Sequence, residues 1–503
     1  MRRVYIGADI GTSGVRAAAF DLSGEQIGFD YQEYNMICKE GGAVELSPEE
    51  IYKSFVDVIR GCVKKGRINP AGIQAVGLSA QMHSFMCVDK DGAPLTNLLP
   101  WADRRSLEES RLLEEEFDCH YFYRKTGCRF EHPIYHISKI RWFQKHQPEL
   151  FEKVYKIVSI KEYILYKLFG EYLIDITDAS TTAYFNIHTF QWDDEILSHV
   201  LHVKPERFGE PVDCNHVFNG LKQADASAMG ILEGTPFVIG SGDGILANVG
   251  CGGVDNKTMS CTIGTSGALR IAVDKPVFDS KERTWCYCFT KNQWVAGGAI
   301  NNGGIVLKWF RDQYRTEFTE EAKRMGLSNI YGLFDRYVAQ ISPGSDGLLF
   351  LPYLTGERSP GWHAEAKGHI SGLTLMHDKR HIIRAAMEGV IFNLYSLFEV
   401  IRKMNGEVDS VIANGGYVNS SEWLQIHADI FNTEVKVAPV GEASVYGAAF
   451  TAMVAMGEVE GYHDLLSNSV PTKRILPDPN NRQIYANAYK EFKRLYDKLI
   501  CNQ

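Results

Sequence analysis

One pentapeptide occurs twice, letter for letter, about half a chain apart: Ile10-Gly11-Thr12-Ser13-Gly14 and Ile263-Gly264-Thr265-Ser266-Gly267. Each copy stands between two strand-like runs. In the first, Val4-Tyr5-Ile6-Gly7-Ala8 leads into the turn and Val15 to Phe20 leads out, closed by Asp21-Leu22-Ser23-Gly24. That pattern predicts a β-hairpin, not a strand-to-helix turn. A match this short can arise by chance, but the offset and the shared hairpin context favour duplication, and so two halves with one fold. At 503 residues, 45% of them hydrophobic, the chain exceeds what one core usually needs. Two large domains with a cleft between them are expected.

The rest of the chain fits α/β halves. Ser47-Pro48-Glu49-Glu50 reads as a capping box with Pro at the first helical position, and Ile51, Phe55, Val58 and Cys62 then share one face. Ile73 to Leu78 reads as a buried strand that ends in Ser79-Ala80-Gln81-Met82-His83, placing polar groups where an α/β sheet exposes its functional edge. His381 to Lys403 carries Ile382, Ala386, Val390, Leu394, Leu397 and Ile401 at helical spacing, and Val411-Ile412-Ala413 runs into Asn414-Gly415-Gly416, a second strand-to-glycine edge. The glycine-rich stretch Gly240 to Asn256 is the expected seam, dividing residues 1–245 from 246–503.

Composition removes several function classes. Lys plus Arg number 53 against 62 acids, with no long basic run, so nucleic acid is not an expected partner. The apolar run Val4 to Ala8 meets Asp9 too soon for a secretory core or a membrane span, which points to the cytoplasm. Eleven cysteines without a C-x-x-C pair read as reduced packing residues, and the histidines lack the spacing of a transition-metal site.

Glycine and hydroxyl residues in a hairpin turn let backbone N–H groups approach phosphate oxygens closely. One such turn alone is as readily a plain tight hairpin; the second copy favours two turns clamping a polyphosphate. Neither is a Walker loop, and Gly7-x-Asp9-x-Gly11 lacks the dinucleotide spacing. Asp9 beside the first turn suits Mg²⁺ held through water and phosphate oxygens, or else caps its own turn; the second copy has Thr262 there, so the halves differ chemically. Phosphoryl transfer to an alcohol needs a carboxylate to take the hydroxyl proton. Asp243, within Gly240-Ser241-Gly242-Asp243-Gly244, has small neighbours that would admit substrate, although a lone G-D-G is often only a turn. Gln81, Met82, His83 and Trp101-Ala102-Asp103-Arg104 offer donors, acceptors and an aromatic face for a polyhydroxylated ligand; His83 could equally be packed, and Asp103 paired with Arg104.

Together these motifs resemble the FGGY carbohydrate kinases, relatives of actin and the large heat-shock chaperones, over nearly the whole chain. Asp9 to Gly14 resembles the family's first phosphate motif, Ile263 to Gly267 its second, Asn414-Gly415-Gly416 to Ser420 its adenosine-side loop, and Asn301-Asn302-Gly303-Gly304 the segment joining nucleotide and substrate sides. The long signature Gly368-x-Ile370-x-Gly372-Leu373 followed by His381-Ile382-x-x-Ala385-Ala386-Met387-Glu388-Gly389 is also present. The resemblance implies two actin-like (ribonuclease H-like) α/β domains around a deep cleft, with Asp243 as catalytic base. It implies sugar contacts from Gln81, Met82, His83, Trp101, Asp103 and Asp243. Nucleotide contacts would come from Gly11, Thr12, Ser13, Arg16, Gly264, Thr265, Gly303, Gly304, Gly415, Gly416 and Ser420, with ATP and Mg²⁺ at Asp9. A second copy of the chain is the one macromolecular partner it leaves open. Gln81 to Ser84, Trp101-Ala102-Asp103, Ile160-Lys161-Glu162-Tyr163 and Gly356-Glu357-Arg358-Ser359-Pro360 look most like gluconate kinases. His132-Pro133-Ile134-Tyr135-His136 departs from that pattern, with His136 where Pro, Ser or Thr is usual and one extra residue after Gly127. A xylulose or other pentulose kinase is the nearest alternative, and an ATP-gated binding protein of the same superfamily the more distant one.

Overall fold

The computed structural model describes residues 2–439, 441–465 and 471–501. Both copies of the repeat fold as hairpins. Strand Val4–Ile10 pairs antiparallel with Gly14–Asp21, and Thr258–Ile263 pairs antiparallel with Gly267–Val273. The correspondence extends outward from each hairpin. Each first strand also pairs in parallel with a later one, Ile73–Ala80 or Ser410–Asn414, and these pair in parallel with Phe237–Gly242 and Glu434–Val437. On the other side, Gln26–Glu33 and Gln293–Ile300 extend the meander antiparallel. The six-stranded first sheet and the seven-stranded second sheet thus share one topology, the second adding Trp285–Thr290 at its edge. Duplication is therefore visible in the backbone as well as in the repeated letters.

The expected helices form for the reasons read from their sequences. Ser47 accepts the Glu50 N–H at the start of Pro48–Lys65, and Ile51, Phe55, Val58 and Cys62 are buried on one face. In Lys379–Asn405 five of the six stripe residues are buried, and Ile382 is half-buried. The strand at Ile73 runs to Ala80, two residues beyond the apolar run. Eight of the eleven cysteines are buried and all are free thiols.

Two departures matter for the site. The stretch Gly240 to Asn256 is not a loose seam: Phe237–Gly242 is a strand of the first sheet, and Asp243–Gly250 is a helix springing from it, so a division at 245/246 falls inside a helix. The second departure is helix Ala443–Ala455, late in the chain yet laid on the first sheet. Gly7 and Gly77 make this possible: a Cβ on either would fall 1.9 Å from the Val445 carbonyl oxygen or 2.0 Å from that of Ala448. The same helix interlocks with Asp243–Gly250, since a Cβ on Gly250 would sit 1.9 Å from the Ala443 oxygen and one on Gly447 2.2 Å from that of Leu246. Close packing of this kind fixes where the helix beginning at Asp243 points.

Candidate active site

The two turns are alike in sequence but close differently. Gly11 N–H donates to the Gly14 carbonyl (3.0 Å), with Ile10 opposite Val15; Gly264 N–H donates to the Ser266 carbonyl (2.9 Å), with Ile263 opposite Gly267. These glycine amides are therefore used within their own turns, leaving Ser13, Thr265 and Ser266 exposed at the tips and Thr12 half-buried. Thr12 is fastened to Gln81 and Trp101: its hydroxyl donates to Gln81 Oε1 (3.2 Å) and accepts from Trp101 Nε1 (3.0 Å), while Gln81 Nε2 donates to the Gly11 carbonyl (3.2 Å). Gln81 supports the first turn in this structure.

Asp9 is buried at the base of that turn. Its Oδ1 accepts from Ser79 (2.6 Å), and its Oδ2 accepts from Ser444 (2.9 Å) and Arg16 Nε (2.9 Å). Arg16 also pairs through Nη1 with Glu442 (2.9 Å), so its guanidinium is spanned by two carboxylates. Asp243 is half-buried in the first turn of its helix, accepting the Gly244 N–H at 2.6 Å. Burial first, then the charge of Asp9, lifts its carboxyl to about 6, while Arg270, the Gly244 N–H and Arg16 pull it back. The small residues beside Asp243 do not leave the open clearance expected from the sequence. A Cβ on Gly242 would lie 2.4 Å from Met82 Cγ, and one on Gly244 would lie 2.8 Å from Met82 Cε and 3.2 Å from Arg270 Nη2. The glycines admit those two side chains. Behind them, Lys161 is buried between Asp175 (2.7 Å) and Asp178 (3.1 Å).

Two cavities flank this centre. The smaller, about 240 Å³, is lined by Trp101, Asp103, Arg104, His132, Asn301 and Arg358 among others. Asp103 accepts from Val44 N–H (2.8 Å) and pairs with Arg105 (2.9 Å), not Arg104 as the adjacent letters suggested. Among the described residues neither Arg104 nor Arg358 has an ion-pair partner, and Arg358 Nε is buried without a hydrogen bond. Burial, helped by Arg358, holds His83 and His132 well below the usual histidine range, so both are neutral. His83 does not line this cavity; its Nε2 meets the Tyr287 hydroxyl (3.0 Å) from the second sheet, which meets that of Tyr135 (2.9 Å). Glu357, also at the cavity, is raised to about 7 by burial.

The larger cavity, about 550 Å³, is lined by Gly264, Thr265, Gly304, Gly416 and Ser420 as expected, together with Asn329, Tyr331, Asp335 and Trp423, which no motif marked. Gly264 and Gly416 face open space, with nothing within 4 Å of an added Cβ. Gly303 and Gly304 serve otherwise: their N–H groups bond the Thr265 (3.1 Å) and Gly264 (2.7 Å) carbonyls, bracing the second turn. Gly415 turns at φ 90° directly under Ile263, a position that needs glycine. Asn301 lines the small cavity and Gly304 the large one, so this segment runs between the two. Among the described residues no cluster of three or more His, Cys, Asp or Glu could cage a metal, and no helix is long and apolar enough to cross a membrane.

The model of the FGGY family of carbohydrate kinases matches residues 4–250 through its N-terminal domain and 259–456 through its C-terminal domain. A gluconokinase of Bacillus licheniformis is 38% identical, covering 96% of this chain and 94% of its own length. Among solved structures, a gluconate kinase from Lactobacillus acidophilus superposes with TM-score 0.92 at 29% identity, covering 99% of both chains. A xylulose kinase from the same organism gives 0.93 at 30%, covering 99% of this chain and 98% of its own.

Proposed function

The chain belongs to the FGGY family of carbohydrate kinases, ATP-dependent phosphotransferases, and on that premise we propose that it transfers the ATP γ-phosphate to a terminal hydroxyl of a small sugar acid, gluconate first. The observation that carries the choice of an acid is the small cavity, where Arg104 and Arg358 stand without carboxylate partners. Two such guanidiniums beside the neutral His132 favour an anionic ligand, which a bidentate arginine contact would hold well. Ile134, at the departure from the gluconate-kinase pattern, also lines that cavity and is the feature that keeps a pentulose as the second reading.

In this reading residues 1–245 supply the base and one wall of the sugar site, while residues 246–503 supply the nucleotide side and, through Asn301, Glu357 and Arg358, the other wall of the sugar site. The large cavity takes the adenosine, and the tips of both turns take the phosphates. Asp243 accepts the proton of the attacking hydroxyl; a carboxyl near 6 is ionised at neutral pH yet basic enough for the task. Asp9 fits Mg²⁺ as an outer partner: its two oxygens already accept protein donors, which leaves lone pairs for metal-bound water but no bare carboxylate. Bound with the nucleotide, the metal would neutralise phosphate charge.

The test is an ADP-release assay over gluconate, xylulose, ribulose and glycerol. Gluconate is expected to give the highest kcat/KM, and a clear preference for xylulose overturns the choice of acid. Arg358→Gln should lower the gluconate-to-xylulose ratio by on the order of tenfold, the cost of one lost charged contact in a binding site.

A further inference from the structure

Asp243 faces two arginines, one from each hairpin, and they are in different states. Arg16 is spent: all three of its guanidinium nitrogens are within 2.9 Å of Asp9 or Glu442. Arg270, on strand Gly267–Val273, has one long contact of 3.4 Å from Nη1 to the Thr262 hydroxyl. Its Nε is buried without a hydrogen-bond partner, and among the described residues no carboxylate lies within ion-pair distance. A buried guanidinium that faces Asp243 but lacks close hydrogen-bond acceptors is costly, and structures rarely keep one without a use.

The surroundings are shaped to admit it. Gly244, in the first turn of the Asp243 helix, would carry its Cβ 3.2 Å from Arg270 Nη2 and 3.3 Å from Nε, so only glycine leaves the guanidinium undisturbed there. Thr262 stands just before the second pentapeptide as Asp9 stands before the first, but it lies opposite Ala268 where Asp9 lies opposite Arg16. Its hydroxyl meets Arg270 at 3.4 Å from a diagonal position and, unlike a carboxylate, steadies the guanidinium without neutralising it. The guanidinium thus lies between the base of the second turn and the proton acceptor, which is where the transferring group must pass.

We propose that Arg270 is a catalytic residue that binds the γ-phosphoryl group as it moves from the nucleotide toward the sugar hydroxyl beside Asp243. The inference rests on the kinase reading with Asp243 as base, and not on which sugar is used. In the step, the bond from the γ-phosphorus to the bridging oxygen of ADP breaks and a bond to the sugar oxygen forms; the hydroxyl proton goes to Asp243. Charge spreads over the three non-bridging oxygens as this happens, and a planar fork of N–H donors is matched to two of them. Because the contact is to the γ group, it strengthens in the transition state and is absent with ADP.

The experiment compares the full-length wild-type protein with Arg270→Gln and Arg270→Lys. Expected for Arg270→Gln is a kcat lower by about 10²–10³-fold, the usual cost of one donor to a developing oxyanion, with sugar KM little changed. Calorimetric affinity for ADP should stay within about 3-fold, while affinity for a non-hydrolysable ATP analogue weakens by on the order of 10-fold, as loss of one charged phosphate contact implies. Added guanidinium at millimolar concentration should restore part of the Arg270→Gln turnover, and Arg270→Lys should fall between the two. A merely structural arginine would give no rescue and equal losses for ADP and analogue, and that result overturns the proposal, as does a kcat within 3-fold of wild type. If Arg270→Gln unfolds, Arg270→Lys carries the same nucleotide comparison. A wild-type protein inactive on every acceptor would instead remove the kinase reading beneath it.

Discussion

The two hairpins share five letters and one topology, yet they do different work. In the first, Asp9 lies under the turn, neutralises Arg16 and is itself held by Ser79 and Ser444. In the second, Thr262 precedes the turn, and Arg270 meets its hydroxyl at 3.4 Å with no ion-pair partner among the described residues. The parallel partner of each first strand repeats the contrast: past Ala80 come Gln81 and His83, side chains that reach the turn and the second sheet, while past Asn414 come Gly415 and Gly416, which keep side chains away from the large cavity. Duplication supplies two similar turns, which the proposed reading places at the phosphates. Single substitutions then place a buried acid under one turn and a guanidinium without a carboxylate partner among the described residues beside the other.

The largest break in this comparison should come from Asp243→Asn. It keeps the shape and removes the proton acceptor, so sugar affinity by calorimetry should persist while kcat falls by ~10²–10⁴, on the order of 3–5 kcal/mol of barrier. Near-normal kcat would take Asp243 out of the mechanism. In the wild type, kcat/KM should rise with pH through about 6 as Asp243 ionises, and the variant should lack that limb. Stability should move the opposite way. The folded state holds the Asp243 proton more tightly than the unfolded chain does, so ionising it costs stability as pH climbs from the ordinary carboxylate range through about 6. Asparagine never ionises. The variant should melt at or above wild type at pH 8, with the difference closing by pH 4.

A smaller break compares matched positions. Asp9→Asn should raise the KM for magnesium–ATP by about 10–100-fold, because a carboxylate contact to metal-bound water is lost, while the sugar KM stays near wild type. Thr262→Val, at the equivalent place, should change the ATP KM only a few-fold, since it removes a single 3.4 Å contact. Equal effects at the two positions would mean that the halves are not specialised. Steady-state kinetics at varied magnesium concentration decides it.

These asymmetries were legible only in part. The hairpins, the helix after Ser47 and the long helix around His381 to Lys403 follow from local signals: alternation, a cap, and apolar spacing at helical period. Partnership is not local. That Asp103 pairs with Arg105 instead of Arg104 depends on the turn between them, and that Arg270 meets a hydroxyl and no carboxylate among the described residues depends on Thr262 and Gly244 from other elements. The identical pentapeptides close one residue apart in register, a difference their letters cannot contain. Helix Ala443–Ala455 lies on the first sheet because Gly7 and Gly77 make room for it, hundreds of positions earlier in the chain. Asn329, Tyr331 and Asp335 reach the large cavity from a segment that carries no motif.

The glycines allow a finer comparison inside the second half. Gly264→Ala points a methyl into open space over the large cavity, so folding should be unaffected while the ATP KM rises by on the order of tenfold, the cost of one unwanted methyl in a binding site. Gly304→Ala meets the Gly264 carbonyl oxygen at 2.7 Å instead. It should cost about 1–3 kcal/mol of stability by overpacking, and disturb ATP use through the displaced turn. The sequence suggests that both glycines approach the ligand; the structure leaves open space beside Gly264 and uses Gly304 to brace the turn. Thermal melting beside ATP titration separates the two, and a destabilised Gly264→Ala would contradict the assignment.

The smallest expected effect tests a link that the second hairpin lacks. Trp101, an exposed indole 47% accessible, donates to the Thr12 hydroxyl, which itself donates to Gln81. The first turn is thereby tied to the rim of the small cavity, whereas Thr265 in the second turn opens on the large cavity alone. Trp101→Phe keeps an aromatic face for the sugar but deletes the donor. A neutral hydrogen bond is worth about 0.5–1.5 kcal/mol, with exposed examples at the low end, so the effect should be roughly 2–5-fold. What distinguishes a link from a simple sugar contact is where that loss appears. If Thr12 transmits the position of the sugar rim to the phosphates, Trp101→Phe should raise the KM for sugar and for ATP together, and Thr12→Val should do the same without further loss in the double variant. If Trp101 only stacks on the sugar, the ATP KM will not move, and the two losses will add.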